Sequence, residues 1–317
     1  MPIKGKPVAY PFCFKDYILF SDFITLFEQL PYVYYVAVLI LGLLIGSFLN
    51  VVILRLPKMM EAEWYQECCE FLADKLSKDT QKTLKQQAPE KITLIHPAST
   101  CPKCQHKIKP WENIPVVSWI FLRGKCSSCK TSISPRYPII ELVTGLLSLY
   151  VAYHYGVSWQ ALAMLLLTWC LVALTMIDFD KMILPDQITL PLIWIGLLLN
   201  LNGMFVDIEQ AVLGAVAGYM SLYTIFWLFK LITGKEGMGF GDFKLVAVFG
   251  AWFGYALLPL LILMASLVGA VIGIALMVFK NHEGSKPIPF GPYLAIAGWI
   301  TALFGEDIWS WYMGLLV

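Results

Sequence analysis

The chain has 317 residues, 58% of them hydrophobic and 14% charged, with a mean hydropathy of +0.69 and a formal net charge of +1. A soluble domain carries nearly twice that charged fraction, so the polar surface is too small to cover one water-facing globule. The near-neutral balance gives no basis for a nucleic-acid partner, and the information lies in where the charges sit.

In chain order, residues 1–31 mix Lys4, Lys6, Lys15, Asp16, Asp22 and Glu28 with scattered apolar residues. No small-residue cleavage site follows the first apolar run, which is therefore expected to stay in the protein as an anchor. Stretches able to cross ~30 Å of hydrocarbon fall at 32–54, 138–155, 159–177, 183–203, 210–232, 243–257, 258–279 and 288–305, the sixth and seventh running together through Pro259. The expectation is an all-α polytopic membrane protein of about eight transmembrane helices. It divides into an N-terminal segment 1–31, a first span 32–54, a soluble segment 55–137 and a seven-helix membrane domain 138–317. Pairs of small residues four apart (Gly42 and Gly46, Gly214 and Gly218, Gly250 and Gly254, Gly269 and Gly273) suit close helix packing in lipid.

Lys and Arg set the orientation. The loop from Arg55 to Arg136 holds 14 of the 23 basic residues, and Lys181, Lys230, Lys235, Lys244, Lys280 and Lys286 fall on the same side. That bias makes this side cytoplasmic and places both termini outside.

The 55–137 segment is charged and helix-prone over 58–94 and carries cysteines beyond that. Cys101-x-x-Cys104 and Cys126-x-x-Cys129 are separated by 21 residues. Two tight thiolate pairs suit a closed, structural tetrahedral zinc, in a compartment that keeps thiols reduced. Metal binding can supply ~10 kcal/mol of folding free energy to a segment too poor in apolar residues for a large core. Gly124 precedes the second pair, where a flexible backbone helps the chain turn. Cys13, Cys68, Cys69 and Cys170 lack such spacing and read as ordinary residues.

A carboxylate in a membrane helix costs about 2.5–3.5 kcal/mol on insertion scales, so such an acid is a functional candidate. The third span ends Leu174-Thr175-Met176-Ile177-Asp178-Phe179-Asp180, followed by Pro185-Asp186, and the sixth opens Gly239-Phe240-Gly241-Asp242-Phe243-Lys244. Both lie at cytoplasmic ends and can meet in one cavity. Two adjacent carboxyls sharing a proton can activate water and protonate a leaving group, the chemistry of aspartic proteases. On residues alone the acids could equally be solvated or paired with Lys181 and Lys244, and Asp180 and Asp186 remain rivals. Asn50 suits a bond to a neighbouring helix better than a substrate contact; Glu141, within the first turn of the second span, is harder to dismiss as functional, with pairing to Arg136 or Arg55 as the structural alternative.

The Gly-x-Gly-Asp at 239–242 is similar to that of intramembrane aspartyl proteases. Gly46-Ser47-Phe48-Leu49-Asn50-Val51-Val52 with Arg55-Leu56-Pro57 resembles the opening signature of type IV prepilin peptidases. So do the two cysteine pairs flanking Trp111-Glu112-Asn113-Ile114-Pro115, Ser134-Pro135-Arg136-Tyr137-Pro138 leading to Glu141, the Asp178 segment, and Pro287-Ile288-Pro289-Phe290-Gly291-Pro292. The resemblance covers about residues 38–300. It implies a multi-pass enzyme of the bacterial inner membrane with periplasmic termini and a cytoplasmic zinc domain. Such an enzyme cuts the basic leader of prepilin and pseudopilin precursors of pili or secretion systems after a glycine. It then methylates the new N-terminal residue with S-adenosylmethionine. By position the resemblance makes Asp178 and Asp242 catalytic, supported by Gly239 and Gly241. It associates the cysteine loop with methylation, for which Gly124 is the one nominated residue. No glycine-rich nucleotide fingerprint follows a strand. A transporter would instead place acids near mid-span in repeated halves. A non-catalytic scaffold would tolerate loss of either aspartate.

Overall fold

The computed structural model describes residues 25, 27, 29–75, 80, 81, 84, 88, 89, 92–280 and 289–314. Outside the described residues lie nearly all of the expected N-terminal segment, with its charges and Cys13, part of the helix-prone 58–94 stretch, and Lys286, Pro287 and Ile288.

Helices α1 (Pro31–Leu72), α3 (Arg136–Tyr155), α4 (Trp159–Lys181), α5 (Asp186–Asn200), α6 (Ile208–Thr233), α7 (Phe240–Phe253), α8 (Leu258–Lys280) and α9 (Gly291–Gly314) occupy the eight apolar runs, and a one-turn α2 (Val117–Phe121) lies in the polar segment. Among the described residues there is no strand, only isolated bridges. By length and apolarity α1, α4, α6 and α8 can each cross a membrane. The 15-residue α5 and 14-residue α7 rise about 21–23 Å, less than the ~30 Å of a hydrocarbon core. Eight is therefore a count of long helices, of which four are full-length spans by this measure.

Two boundaries differ from the sequence reading for physical reasons. The first helix does not stop at 54: it continues through Pro57 to Leu72. Lys58–Leu72 contains no glycine or further proline and carries four Glu and two Met, which favour helix whether or not lipid surrounds them. The break between the sixth and seventh runs comes at Gly254, which caps α7 at φ 76°, and Pro259 falls in the first turn of α8, where a missing N–H is harmless.

Helices α1, α3 and α4 pack on one another, and α5 and α6 pack on α7; α9 bridges the groups by touching both α4 and α7, with α8 against it. The central element is α7, buried from Asp242 to Phe253 except at Lys244. It is apolar on nearly every face, as a helix surrounded by helices must be. By contrast only 22% of the most apolar α6 window and 17% of that of α8 is covered by protein, leaving the rest for lipid.

The glycine pairs work as expected in two of the four cases. A Cβ on Gly42 would meet Ser148 and Gly145, and one on Gly46 would come 2.7 Å from the Glu141 Cα, so α1 and α3 touch nearly backbone to backbone. A Cβ on Gly214 would collide with the Gly250 carbonyl, and one on Gly250 with that of Gly214. Around Gly254 and Gly269 the space is looser, with neighbours at 3.3 Å or more.

Gly250→Val must push α6 from α7 along their whole contact, and overpacking of this kind costs about 1–3 kcal/mol. The expected outcome is a clearly lowered melting temperature in detergent. Gly314→Ala, at a site with nothing within 4 Å, should leave it unchanged.

Candidate active site and metal centre

Helix α4 ends in a left-handed cap at Met182 (φ 55°), turning the chain so that Leu184 folds back beneath it. Against this turn start two other helices. Asp242 lies in the first turn of α7, its N–H directed at the Gly239 carbonyl (3.3 Å). Gly291 opens α9, and its N–H donates to Asp178 Oδ2 at 3.1 Å. Both approaches need glycine. A Cβ on Gly241 would come 2.8 Å from Leu184 Cβ, and one on Gly291 would come 2.7 Å from Asp178 Oδ2 and 3.1 Å from Leu184 Cδ1. Asp178 and Asp242 thus lie in one nest, 5% and 6% exposed, close enough for the charge of Asp178 to act on Asp242. Among the described residues neither forms an ion pair. Their electrostatic partner is instead the positive end of two helix dipoles, since α7 and α9 both point their N-termini at the nest.

The nest is recessed. Phe226 of α6 packs on Phe240 and Phe243 at centroid distances of 5.3 and 5.7 Å. Seven more residues of α6 follow it, so that helix rises about 10 Å past the start of α7.

The rival acids form the rim. Arg136 makes two bonds to Asp180, at 2.8 and 2.6 Å, and Lys244 makes two to Asp186, at 2.6 and 2.8 Å. The expected Lys244 pairing therefore falls on Asp186. Lys181 takes Glu61 of α1 at 2.7 Å. These pairs gather the ends of α3, α4, α5 and α7, with the Glu61 turn of α1, on the same side as the nest.

The four knuckle cysteines converge, with all Sγ atoms within 4.8 Å of one another. Cys101 and Cys129 are 3.8 Å apart, and Cys104 and Cys126 are 4.0 Å apart. Four sulfurs bound tetrahedrally to zinc at about 2.3 Å would stand about 3.8 Å from each other, so the set fits that ion. The two knuckles repeat one geometry. In each the first cysteine carbonyl accepts the N–H four residues on (Gln105, Lys130), and that residue has φ 57°. Thr131, through its hydroxyl and its backbone, lowers the Cys129 thiol to about 6, while burial and the neighbouring sulfurs push Cys104 up to about 11, so the four sulfurs share their protons unevenly. Glu112 ties the lobe together; the Lys109 N–H and the Ser127 hydroxyl hold its carboxyl below the usual range, and His106 lies 3.3 Å away. Cys68, Cys69 and Cys170 stand apart as free thiols. Gly124 is buried at φ 65°, bonded through its N–H to the Trp119 carbonyl, and a Cβ there would come 2.9 Å from the Trp119 ring. Glycine at 124 thus has a structural reason in the turn itself.

One cluster was misread from sequence. Glu141 pairs with neither Arg136 nor Arg55. Its Oε2 accepts the N–H of Val116 at 2.7 Å, and Ser47 bonds it from α1. Arg55 instead clasps the carbonyls of Thr93, Leu94 and Pro97. Asn50 donates to the Tyr137 carbonyl at 3.2 Å, the inter-helix bond expected of it. Val116 itself sits at φ 59°, ψ −49°, a strained conformation for a β-branched residue. The available signal was Ser47 and Asn50 three apart on one helix face; nothing in the spacing pointed to their partners, Glu141 and Tyr137, which are 94 and 87 residues away.

Residues 40–155 match the bacterial peptidase A24 N-terminal domain, and residues 165–274 match the type IV leader peptidase family. The chain is 54% identical over 283 residues to the prepilin leader peptidase/N-methyltransferase of Stutzerimonas stutzeri, covering 89% of this chain and 95% of that protein. It is 54% identical over 285 residues to the protein of that name from Pseudomonas aeruginosa (89% and 94% covered), and 53% identical over 294 residues to that from Aeromonas salmonicida (93% and 99%). No solved structure matches significantly. With the two domain models in order along it and relatives this similar over nearly all of its length, the chain belongs to the type IV leader peptidase family.

Proposed function

We propose that this chain is a prepilin leader peptidase and N-methyltransferase of the bacterial inner membrane. It cleaves prepilin and pseudopilin leaders after glycine at the cytoplasmic face and methylates the new N-terminus. The observation that carries the peptidase reading is the recessed nest holding Asp178 and Asp242 without a basic partner, while Asp180 and Asp186 are engaged by Arg136 and Lys244. In the nest one carboxylate takes a proton from water as the water oxygen bonds to the scissile carbonyl carbon. The other carboxyl, protonated, gives its proton to the departing amide nitrogen. Gly241 lets the start of α7 close on Leu184, and Gly239 leaves the space beside Asp242 clear of side chain. The Gly291 N–H fixes one Asp178 oxygen and leaves the other toward the nest. The positive-inside distribution supports cytoplasmic placement of nest and knuckles, with periplasmic termini.

Cys101, Cys104, Cys126 and Cys129 would hold a structural zinc that closes the 101–135 lobe. S-adenosylmethionine would supply the methyl group as a sulfonium electrophile. The lobe hangs between α1 and α3 rather than on α7, so its chemistry is separable from the nest.

Asp178→Asn and Asp242→Asn should each slow cleavage of a purified prepilin by on the order of 10²–10⁴-fold, the usual contribution of a positioned acid or base. Asp180→Asn and Asp186→Asn should act far less, as removal of rim pairs worth ~0–1 kcal/mol. A gel-shift time course reads all four, and full activity of either of the first two variants would sink the assignment.

Reduced protein should contain about one zinc per chain by elemental mass spectrometry. The Cys101→Ser/Cys126→Ser variant should lose the metal and expose the 101–135 lobe to protease. Freshly reduced protein without zinc refutes the site.

Gly124→Val forces a β-branched residue into φ 65° against Trp119. The expected product in cells is pilin that is cut but unmethylated, read by mass spectrometry of the mature N-terminus. Equal loss of both activities would show that the lobe supports the whole enzyme.

A further inference from the structure

The lobe between the first two long helices carries an apolar surface that neither the nest nor the cysteine centre uses. In the stretch Pro110–Asn113 and α2, Trp111 is 64% exposed, Ile120 62% and Phe121 83%, with Ile114 and Val117 also exposed. Five large apolar side chains open to solvent within eleven residues are unusual on a surface that meets only water. Their height relative to the membrane is fixed by a contact. The Val116 N–H bonds to Glu141, a residue of α3 that lies against Gly46 of α1 inside the helix packing. The same α3 segment presents Ile139, Leu142 and Val143 outward. The exposed apolar surface of the lobe is thus joined to α3 at a point where that helix also exposes apolar side chains. Its charge is also one-sided. From residue 101 to 135 there are six Lys or Arg and one acid, Glu112, which is already engaged by the Lys109 N–H and His106. Lys109 lies 5.4 Å from the Trp111 ring, and Arg123 and Lys125 follow directly after α2.

We infer that residues 110–122 form an interfacial anchor. Trp111, Ile114, Val117, Ile120 and Phe121 enter the boundary between headgroups and acyl chains of an anionic leaflet, and Lys109, Arg123 and Lys125 meet its phosphates. Aromatic side chains at headgroup level with basic residues beside them make the pattern of a helix lying in the interface. The Glu141 bond to Val116 holds the strained turn that aims this segment at the bilayer. A hydrophobic substrate helix is the other class of occupant. It is disfavoured here because the leader expected on such a substrate is basic and would meet a basic rim.

The test uses the full chain in nanodiscs, with the photocrosslinker p-benzoylphenylalanine in place of Ile120, of Phe121 or of Glu67. Glu67 is exposed and about 18 Å beyond Arg55 along α1. Irradiation followed by intact-mass analysis should give lipid adducts from positions 120 and 121 and none from 67. Adduct yield should fall several-fold when phosphatidylglycerol is replaced by phosphatidylcholine. Absence of adducts at both 120 and 121, or equal adducts at 67, overturns the anchor. So does transfer of the crosslink to an added prepilin peptide, which would assign the surface to substrate. Equal yield in the two lipids overturns the role of the basic rim. Prepilin cleavage by the same samples is scored separately, so the anchor and the peptidase reading fail independently.

Discussion

Hydrocarbon offers no hydrogen bonds, so every polar atom brought below the membrane surface must find its partner within the protein. The fold is organised by that requirement. Buried Asn200 uses both ends of its amide, donating to the Ala251 and Trp252 carbonyls and accepting from Phe205 and Val206, and so fastens the ends of α5 and α7 together. Trp252 donates to the Leu192 carbonyl, Trp299 to Thr168 and Trp169 to Ser148, so three indoles add area without leaving an N–H alone. Between these anchors the helices close on glycine, and α7 becomes a rod clamped on several sides. Rigidity there matters because the first turn of the rod carries Asp242.

Against this rule Asp178 and Asp242 are the exceptions that need explaining. The acids of the rim each have a cation: Asp180 has Arg136, Asp186 has Lys244, and Glu61 has Lys181. The two nest carboxyls have helix N-termini and one backbone N–H instead. A salt bridge would hold an aspartate ionised and pinned. A helix end favours negative charge by ~0.3–1 kcal/mol and leaves the proton free to move between groups. Sequence position alone could not separate Asp178 from Asp180, two residues away. Their difference is one of helix face: 178 points inward to Gly291, and 180 outward to Arg136.

Hydropathy located the eight long helices and the CxxC spacing located the cysteine cluster, because each depends on local composition or short spacing; Asp178 and Asp242 were set apart from Asp180 and Asp186 only by resemblance. Hydropathy marks where lipid ends rather than where a helix ends, and so it missed the continuation of α1 to Leu72. It likewise overran α5, expected over 183–203 and found over Asp186–Asn200, since Ile183, Leu184 and Leu201 beside it are as apolar as the helix. The contacts that define the nest and the lobe were illegible for a different reason. Gly291 reaches Asp178 across 113 positions and Val116 reaches Glu141 across 25, and no periodicity encodes such partners.

The Glu141 contact is also where the two halves of the proposed enzyme meet mechanically. Glu141 stands on α3, which packs on both α1 and α4, and α4 carries Asp178. The carboxylate accepts a backbone N–H, so it constrains the position of the 110–122 chain while leaving its side chains free to face the bilayer. A lobe fastened at this point keeps a fixed height over the membrane, and a cleaved substrate whose helix stays in lipid would present its new amine at a matching height. On the proposed reading, with cleavage in the nest and methylation assigned to the lobe, the two steps need no large motion between them, only lateral movement of the product along the membrane surface. The strained Val116 turn is consistent with that arrangement. A backbone forced to φ 59° persists where surrounding bonds over-determine it, and here the bond that does so joins the lobe to the membrane helices.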